Sequence, residues 1–406
     1  MEEARVGEAQ ALAPPPRSAR RPWRPRCVDT NAEGVLKRAL AFTHNPYPTI
    51  GVEIELALVD ADTLALKSAA PDIVARVPRK YEGRFKPELV QCCLELNTEV
   101  CRDVGDVERD LRAKLDVAEQ LARRSNTRLY WTATRPFSEW HEQEITHDER
   151  YLGLVELLQD TARRLITFGV HVHIGLDSGE KAVMMCDRIM NHLPTLLALS
   201  ANSPFWHGSP TGLQSQRSRL MDNLPTAGLP PLMRNWSEYV WLVNHMVETG
   251  FIHTIREIWW DVRPHNNFGT VEVRICDLPP SLDDVLGLTA LVQCLVRSLS
   301  QQIEAGAYQH DCHPMMVRQN KWRAARYGLS GQLIEPHSLE VMLARKVVTQ
   351  LVERLRDVAE ELRCSSYLEH VLEMAANPTG AKRQLAIYQK TGDPGEVVRR
   401  TLEAQG

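Results

Sequence analysis

Long apolar runs are missing from this chain. The most apolar stretch, residues 193–201, is short and contains Pro194 and Thr195. A helix that spans a bilayer needs roughly 18 apolar residues in succession. The N-terminus also lacks the apolar core of a secretory signal. We therefore expect a soluble protein with no membrane partner.

Paired cysteine motifs and a surplus of charge of one sign are absent too. The nine cysteines are odd in number and include no CxxC spacing, which argues against a disulfide framework and a cysteine zinc site. This usage predicts a reducing compartment, the cytoplasm. Lys and Arg total 48 against 52 Asp and Glu, a net charge of −4, so we expect no nucleic-acid partner.

The glycine-rich loops that commonly hold nucleotide phosphates are also missing. The chain has no GxxxxGK[ST] loop, no GxGxxG at the start of a helix and no nucleophile elbow. A bound nucleotide would therefore need metal ions and arginines for its phosphates. The candidate arginines are Arg274, Arg150, Arg217, Arg219, Arg323 and Arg326. For the last five, an ordinary solvated charge is an equally open interpretation.

Composition and periodicity divide the chain in two. Residues 1–45 are rich in Pro and Arg and predict a disordered arm, with a basic tether for acidic partners as the functional alternative. Residues 46–406 predict a single domain with a helical C-terminal part. Alternating runs predict strands at 49–59, 89–100, 128–134, 170–175, 257–263 and 270–277. Helical spacing predicts helices at 103–125, 148–165, 180–200, 282–303 and 341–362.

Hairpin-linked strands with long helical excursions indicate an α+β fold with a mainly antiparallel sheet. Residues 203–236, which carry Pro and Gly repeatedly, predict a long loop of the kind that forms lids or binding loops. Four of the predicted strands carry carboxylate or imidazole groups on one face and apolar groups on the other. They contribute Glu53 and Glu55; Glu95, Asn97 and Glu99, with Glu88 just before; His171 and His173; and Glu272 and Arg274. If these strands share one sheet, the groups converge.

The first two of these strands are acidic without local base. No Lys or Arg occurs between residues 49 and 65 or between 89 and 101. An ordinary solvated face, the other interpretation, would alternate acids with bases. Concentrated acid instead favours a divalent cation as counter-charge, and carboxylate oxygens suit Mg²⁺ or Mn²⁺. The HVH strand leaves zinc open, without an obvious third nitrogen or sulfur ligand.

Five motifs together resemble the glutamate–cysteine ligase family, type 2, in the carboxylate–amine ligase branch of the glutamine synthetase-like superfamily. They are GVEIEL at 51–56, ELVQCCLELNTEV at 88–100, GVHVHIG at 169–175, GTVEVRICD at 269–277 and NKWRAARYGL at 320–329. The resemblance covers about residues 47–390. It implies a curved sheet with one carboxylate-lined face and helices packed on the other, in a single ligase domain.

The resemblance also implies a role for each matched residue. Glu53, Glu55, Glu88, Glu95, His171 and Glu272 would be metal ligands. Glu53 and Arg274 would be catalytic, with Arg274 stabilising charge on the transferred phosphoryl group. Arg150, Arg217 and Arg219 would contact substrate, whereas His173 has no firm counterpart.

The implied reaction is ATP-dependent amide bond formation. The γ-carboxylate of glutamate would attack the γ-phosphorus of ATP, and an amine such as cysteine would displace phosphate from the acyl phosphate. Mg²⁺ or Mn²⁺ ions would neutralise the phosphate charge. Two alternatives stay open: a metal-dependent phosphotransferase to a guanidino or amine group on the same fold, and a non-catalytic nucleotide- or metal-binding protein. A homodimer is expected from base rates alone.

Overall fold

The structure, a computed structural model, describes residues 40–307 and 312–405. The predicted arm lies outside these residues up to position 39. The segment that begins at residue 40 is hydrogen-bonded to the rest of the domain. The backbone N–H of Thr43 donates to the carbonyl of Asn266 over 2.9 Å, and that of Asn45 donates to the carbonyl of Leu176 over 3.0 Å. The described residues all belong to one compact unit.

A seven-stranded sheet organises the fold. The strands of the structure are β1 Ile50–Asp60, β2 Phe85–Pro87, β3 Cys93–Asn97, β4 Thr127–Tyr130, β5 Val170–Gly175, β6 Phe205–Trp206, β7 Ser209–Pro210, β8 Val262–His265, β9 Thr270–Val273, β10 Gln332–Ile334 and β11 Val341–Leu343. The large sheet has the order β2–β3–β1–β5–β9–β8, with β4 also paired to β1, and its paired strands are antiparallel. This confirms the predicted α+β class with a mainly antiparallel sheet.

Helices supply most of the remaining structure. They are α1 Ala70–Val74, α2 Val104–Arg124, α3 Glu149–Leu158, α4 Asp160–Arg163, α5 Gly179–Ile189, α6 Leu193–Ser200, α7 Gln216–Met221, α8 Trp236–Glu248, α9 Leu282–Glu304, α10 Pro314–Tyr327, α11 Ala344–Glu361, α12 Ser365–Ala376, α13 Gly380–Thr391 and α14 Pro394–Gln405. Within the described ranges, none of them has the length and apolar character that crossing a bilayer requires.

The apolar face of the sheet is buried under α2 and α9. The β1 side chains Ile50, Val52 and Ile54 are at most 1% exposed and share one core with Leu111 of α2 and Leu291 of α9. Each helix begins at a residue whose side chain accepts a backbone N–H, Asp103 for α2 and Ser281 for α9. Because side chains alternate along a strand, burying one face of β1 leaves its acids on the other.

Several element boundaries differ from the predictions. The strand predicted at 257–263 is β8, Val262–His265, because Thr254 caps a short 3₁₀ turn at Ile255–Glu257. The helix predicted at 148–165 is divided into α3 and α4 at Gln159, which has a φ of +52°. The predicted loop at 203–236 contains the helix α7. Of the acidic strand predicted at 89–100, only the central residues Cys93–Asn97 form a strand, β3, and β2 pairs with it.

Candidate active site

Strand register brings the predicted acids and histidines together on the face opposite the helices. Glu53 of β1 lies opposite His171 of β5, and Glu55 lies opposite Glu95 of β3. Glu272 of β9 lies opposite His173 of β5. Directly paired residues in neighbouring strands have adjacent side chains, so these acids and histidines, which are far apart in sequence, form one cluster.

Glu53, His171 and Glu272 form a candidate metal centre. Each offers one ligand atom, and the three atoms lie within 4.8 Å of one another. Nδ1 of His171 is 3.2 Å from Oε2 of Glu53. Burial raises the pKa of Glu53, but the hydrogen bond to His171 and the charges of both nearby histidines outweigh it and lower the pKa to about 2. Glu53 is therefore an anion at neutral pH.

His173 stands beside this centre. Its Nδ1 contacts the Thr270 hydroxyl over 3.0 Å, which orients the ring. Its Nε2 lies 3.7 Å from carboxylate oxygens of both Glu53 and Glu272 and makes no hydrogen bond to the described residues. Burial lowers the pKa of His173 below its ordinary value, although the charges of Glu272 and Glu53 oppose this shift. A buried nitrogen without a partner, aimed at two carboxylates, suits a site completed by a bound group.

A second cluster of acids lies next along β1. Glu55 accepts a hydrogen bond from the backbone N–H of Gly169 over 2.6 Å. Glu95 accepts from the side chains of Asn97 over 2.6 Å and Lys86 over 3.1 Å. Burial, and then the charges of Glu95 and Glu55, raise the pKa of Glu88 well above its ordinary value. A cation bound beside Glu88 would stabilise its ionised form and so oppose this rise in its pKa.

Two of the acids are also paired with bases of a neighbouring segment, in and just before β2. Lys86 of β2 pairs with Glu95, and Arg84 pairs with Glu99. Both bases precede the acidic strand and come beside it only when β2 and β3 pair. Glu95 and Glu99 therefore have bases of the protein beside them, although no base lies within their own segment. Glu53 differs, because its neighbours are histidines.

Glu272 is held between two guanidinium groups. Nε of Arg263 lies 2.7 Å from its Oε2, and Arg274 contacts its Oε1. Burial raises the pKa of Glu272, but the charges of Arg263 and Arg274 outweigh it and lower the pKa well below the ordinary value. Sequence reasoning identified Arg274 and missed Arg263. The available signal was Arg263 on the strand before the VEVR motif, but its partner depends on the β8–β9 register.

The three arginines predicted to contact substrate occupy different environments. Arg150, in the first turn of α3, lies close enough to Glu88 for its charge to oppose the rise in the Glu88 pKa. Arg217 is only 3% exposed and donates to the backbone carbonyls of Arg274 and Ile275. Arg219 pairs with Asp222 over 2.8 Å. The structure thus brings Arg150 to the acidic clusters and places Arg217 behind Arg274.

Arg323 and Arg326, the remaining candidate arginines, donate to backbone carbonyls of Gln332 and Gly212. A cavity of about 290 Å³ opens beside Glu53 and His173. Its wall includes Arg84, Lys86 and the exposed ring of Phe268. Cations, an aromatic ring and a neighbouring acidic centre are a combination that can hold a phosphorylated aromatic ligand through a metal ion.

The donors of the candidate metal centre suit particular ions. Two carboxylates and one imidazole, with further acids nearby, match the oxygen-rich preference of Mg²⁺ and Mn²⁺. Arg263 and Arg274 each contact an oxygen of Glu272, so a metal would share that carboxylate with both guanidinium groups.

The sequence matches known proteins over most of its length. The model of a family described as glutamate-cysteine ligase family 2 (GCS2) matches residues 49–403. A protein of Gloeobacter violaceus named "Putative glutamate--cysteine ligase 2" is 43% identical over 354 residues, which cover 87% of this chain and 95% of that protein. A protein of the same name from Sorangium cellulosum is 39% identical over 357 residues, covering 87% and 95%.

Two solved structures share the fold. The glutamate–cysteine ligase of Francisella tularensis in complex with AMP has a TM-score of 0.66 at 12% identity, covering 89% of this chain and 90% of that chain. A bifunctional glutathione synthetase of Pasteurella multocida has a TM-score of 0.63 at 17% identity, covering 88% and 52%. The sequence matches carry the assignment further: the chain belongs to glutamate–cysteine ligase family 2, and with it to the ATP-dependent carbon–nitrogen ligases.

Proposed function

We propose that this chain joins the γ-carboxylate of glutamate to the amino group of an amine such as cysteine, through an acyl phosphate. The observation that carries the proposal is the convergence of Glu53, His171 and Glu272 within 4.8 Å, with Arg274 against Glu272. Such a centre can bring a triphosphate and a carboxylate together although both are anions. The names of the family and of its relatives supply glutamate and cysteine as the first substrates to test.

The nucleotide is assigned to the cavity beside Glu53 and His173. Arg84 and Lys86, which pair with Glu99 and Glu95, place a guanidinium and an ammonium group in its wall, and Phe268 offers a ring face to a purine base. Phe268 stacks on His265 with ring centroids 4.1 Å apart, which holds the platform in place. A divalent metal held by Glu53, His171 and Glu272 would neutralise phosphate oxygens and align the reacting groups.

The chemical steps then follow from the charges. An oxygen of the substrate carboxylate attacks the γ-phosphorus, the bond to the bridging oxygen breaks, and ADP leaves. Arg274, fixed by Glu272, stabilises the negative charge on the transferred phosphoryl group. The amine nitrogen next attacks the acyl carbon, phosphate leaves, and the nitrogen loses a proton. Glu55, Glu88 and Glu95 would line the end of the site that receives glutamate and the amine. Arg150 would lie there too, near Glu88.

Arg217 is assigned a positioning role in this scheme. Its guanidinium donates to the carbonyl of Arg274 over 3.3–3.4 Å and to that of Ile275 over 3.3 Å. It therefore supports the backbone from which the phosphoryl-stabilising side chain projects. Substrate contact by Arg217 would require this buried group to leave those carbonyls.

A phosphate-release screen tests the proposal. Purified protein is supplied with Mg-ATP, L-glutamate and each of a panel of amines, and both phosphate and the amide product are measured. Release that requires glutamate and an amine together, with stoichiometric amide, is the expected result. Transfer of phosphate to an amine or guanidino compound without glutamate would favour the phosphotransferase. Binding of Mg-ATP without turnover on any pair would contradict the ligase proposal.

A further inference from the structure

Three helices line a second, larger cavity, which shares no lining residue with the cavity beside Glu53 and His173. It has a volume of about 560 Å³ and lies between α2, α13 and α14, above Trp131 and the first residues of α9. Each helix contributes residues spaced three and four apart, which lie on one helix face. These are Arg112, Leu115, Asp116 and Glu119 of α2; Gly380, Arg383, Gln384 and Ile387 of α13; and Arg400, Thr401, Ala404 and Gln405 of α14.

Three helix faces that meet usually fill the space between them with apolar side chains. Here the faces carry guanidinium, carboxylate and amide groups, and the space is open. Leu115, Leu282, Ile387 and Trp131 add an apolar part to the wall. A cavity with an apolar wall and a few convergent polar groups is typical of a small-molecule site.

Gln384 supplies the most specific polar group of this cavity. It is 2% exposed, and its Oε1 has no hydrogen-bond partner among the described residues. Its amide orientation is determined by Asn202, whose Nδ2 donates to the carbonyls of Leu278 over 2.8 Å and Trp131 over 3.3 Å. The Oδ1 of Asn202 therefore turns to Gln384 and accepts from its Nε2 over 2.8 Å, as the Asn202 carbonyl does over 3.2 Å.

These hydrogen bonds leave Oε1 of Gln384 as a buried acceptor that no group of residues 40–307 and 312–405 uses. Leaving such an acceptor unpaired is costly, so a donor is expected there. The donor should be a neutral N–H or O–H, because burying an ammonium beside a single amide oxygen would cost far more. The ligand is thus expected to carry an amide or hydroxyl hydrogen.

The rim of the cavity indicates the second group of the ligand. Arg112 is engaged by Glu108 and Asp283, and Arg400 by Glu396. Arg383 differs, because its Nε donates to the Pro378 carbonyl and it has no acid partner within the described ranges. It lies in the first turn of α13, where the helix dipole also favours a negative charge. A carboxylate is the complement of that guanidinium.

We infer that this cavity binds a small carboxylate that carries a neutral N–H donor and an apolar side chain, such as an N-acyl amino acid or a short peptide. The donor pairs with Oε1 of Gln384, the carboxylate pairs with Arg383, and the apolar group packs on Trp131 and Ile387. The site is separate from the acidic clusters and does not depend on the reaction proposed for them.

Calorimetry with N-acetyl-L-leucine on the full chain tests this inference. Saturable binding is expected, and Arg383→Gln should weaken it by about tenfold or more, the effect of one charge-assisted hydrogen bond. Arg383→Lys should retain most of it. Gln384→Met should weaken it too, with thermal unfolding used to check that the variant folds. Arg356→Gln, at an exposed arginine outside the cavity, is the matched control.

Two ligand analogues sharpen the test. The methyl ester of N-acetyl-L-leucine lacks the carboxylate, and 4-methylpentanoate lacks the N–H, so both should bind at least about tenfold more weakly. The inference is overturned if N-acetyl-L-leucine shows no saturable binding. It is also overturned if the ester binds the wild-type protein as tightly as N-acetyl-L-leucine does, or if the Arg383→Gln variant binds N-acetyl-L-leucine as tightly as the wild type does. Loss of N-acetyl-L-leucine binding in Glu53→Gln would overturn it as well.

Discussion

The guanidinium of Arg263 lies against the carboxylate of Glu272, with 2.7 Å between Nε and Oε2, and both side chains are buried. The same guanidinium donates to the carbonyls of Ile258 over 2.7 Å and Ile255 over 3.2 Å. Arg263 thus links a candidate metal ligand to the segment that precedes β8. Arg274 contacts the other carboxylate oxygen, so Glu272 has little freedom to turn.

Removing Arg263 should destabilise the protein strongly. Arg263→Met leaves Glu272 buried with one of its two cations gone, and breaking a buried ion pair typically costs about 3–5 kcal/mol. The free energy of unfolding, measured with denaturant, should fall by an amount in that range. Arg84→Gln is the matched control, because the Arg84–Glu99 pair is partly exposed and should contribute about 0–1 kcal/mol. Equal effects of the two variants would contradict this reading of Arg263.

Neutralising a candidate metal ligand should abolish turnover, and at Glu53, which pairs with histidines rather than with a buried arginine, it should do so without unfolding the chain. Glu53→Gln and Glu272→Gln each keep the side-chain shape but remove a charge that a divalent cation needs. We expect phosphate release to fall to background, and Mn²⁺ binding, followed by electron paramagnetic resonance, to weaken. Glu360→Gln, at an exposed position of α11, should change neither quantity. Turnover like that of the wild type in either site variant would remove that residue from the metal centre.

A side chain at Gly169 should destabilise the protein. A Cβ there would lie 2.2 Å from Nη2 of Arg217, the guanidinium that donates to the carbonyls of Arg274 and Ile275. Gly169→Ala should therefore cost about 1–3 kcal/mol, as overpacking does. Gly153→Ala, inside α3 with open space around it, should instead stabilise by up to about 1 kcal/mol. Urea denaturation of both variants checks the opposite signs.

His370 of α12, which contacts Asp284 of α9, should make the free energy of unfolding depend on pH. Nε2 of His370 lies 2.9 Å from Oδ1 of Asp284, and this hydrogen bond raises the pKa of His370 against the effect of burial. A raised folded-state pKa stabilises the protein fully below the unfolded value of about 6.5, and the contribution is lost as pH rises through the folded value.

His370→Gln should therefore destabilise more at about pH 5.5 than at about pH 9. The difference should be at most about 1 kcal/mol, because the pair is partly exposed to solvent. The readout is the free energy of unfolding of both proteins across this range. A destabilisation that does not change with pH would mean that the charge of His370 does not contribute.

The alternation of β1 was sufficient to assign Glu53 and Glu55 to a face away from the core, because period two is a local property of a strand. The boundaries of β8 and the division of α3 from α4 could not be predicted. They depend on Thr254, which caps a short turn, and on the positive φ of Gln159. The predicted substrate contacts of Arg150, Arg217 and Arg219 stay predictions, although the three side chains occupy different environments.

By itself the sequence determined the class of the fold, the polar side of each central strand and the family, since those follow from local periodicity and motif. Only the tertiary structure decided which groups meet: Glu53 with His171, Glu272 with Arg263, Lys86 with Glu95, and Gln384 with Asn202. Pairs such as Glu53 and His171 are 118 residues apart. Their contact depends on strand register and helix packing over the whole core, which no local pattern encodes.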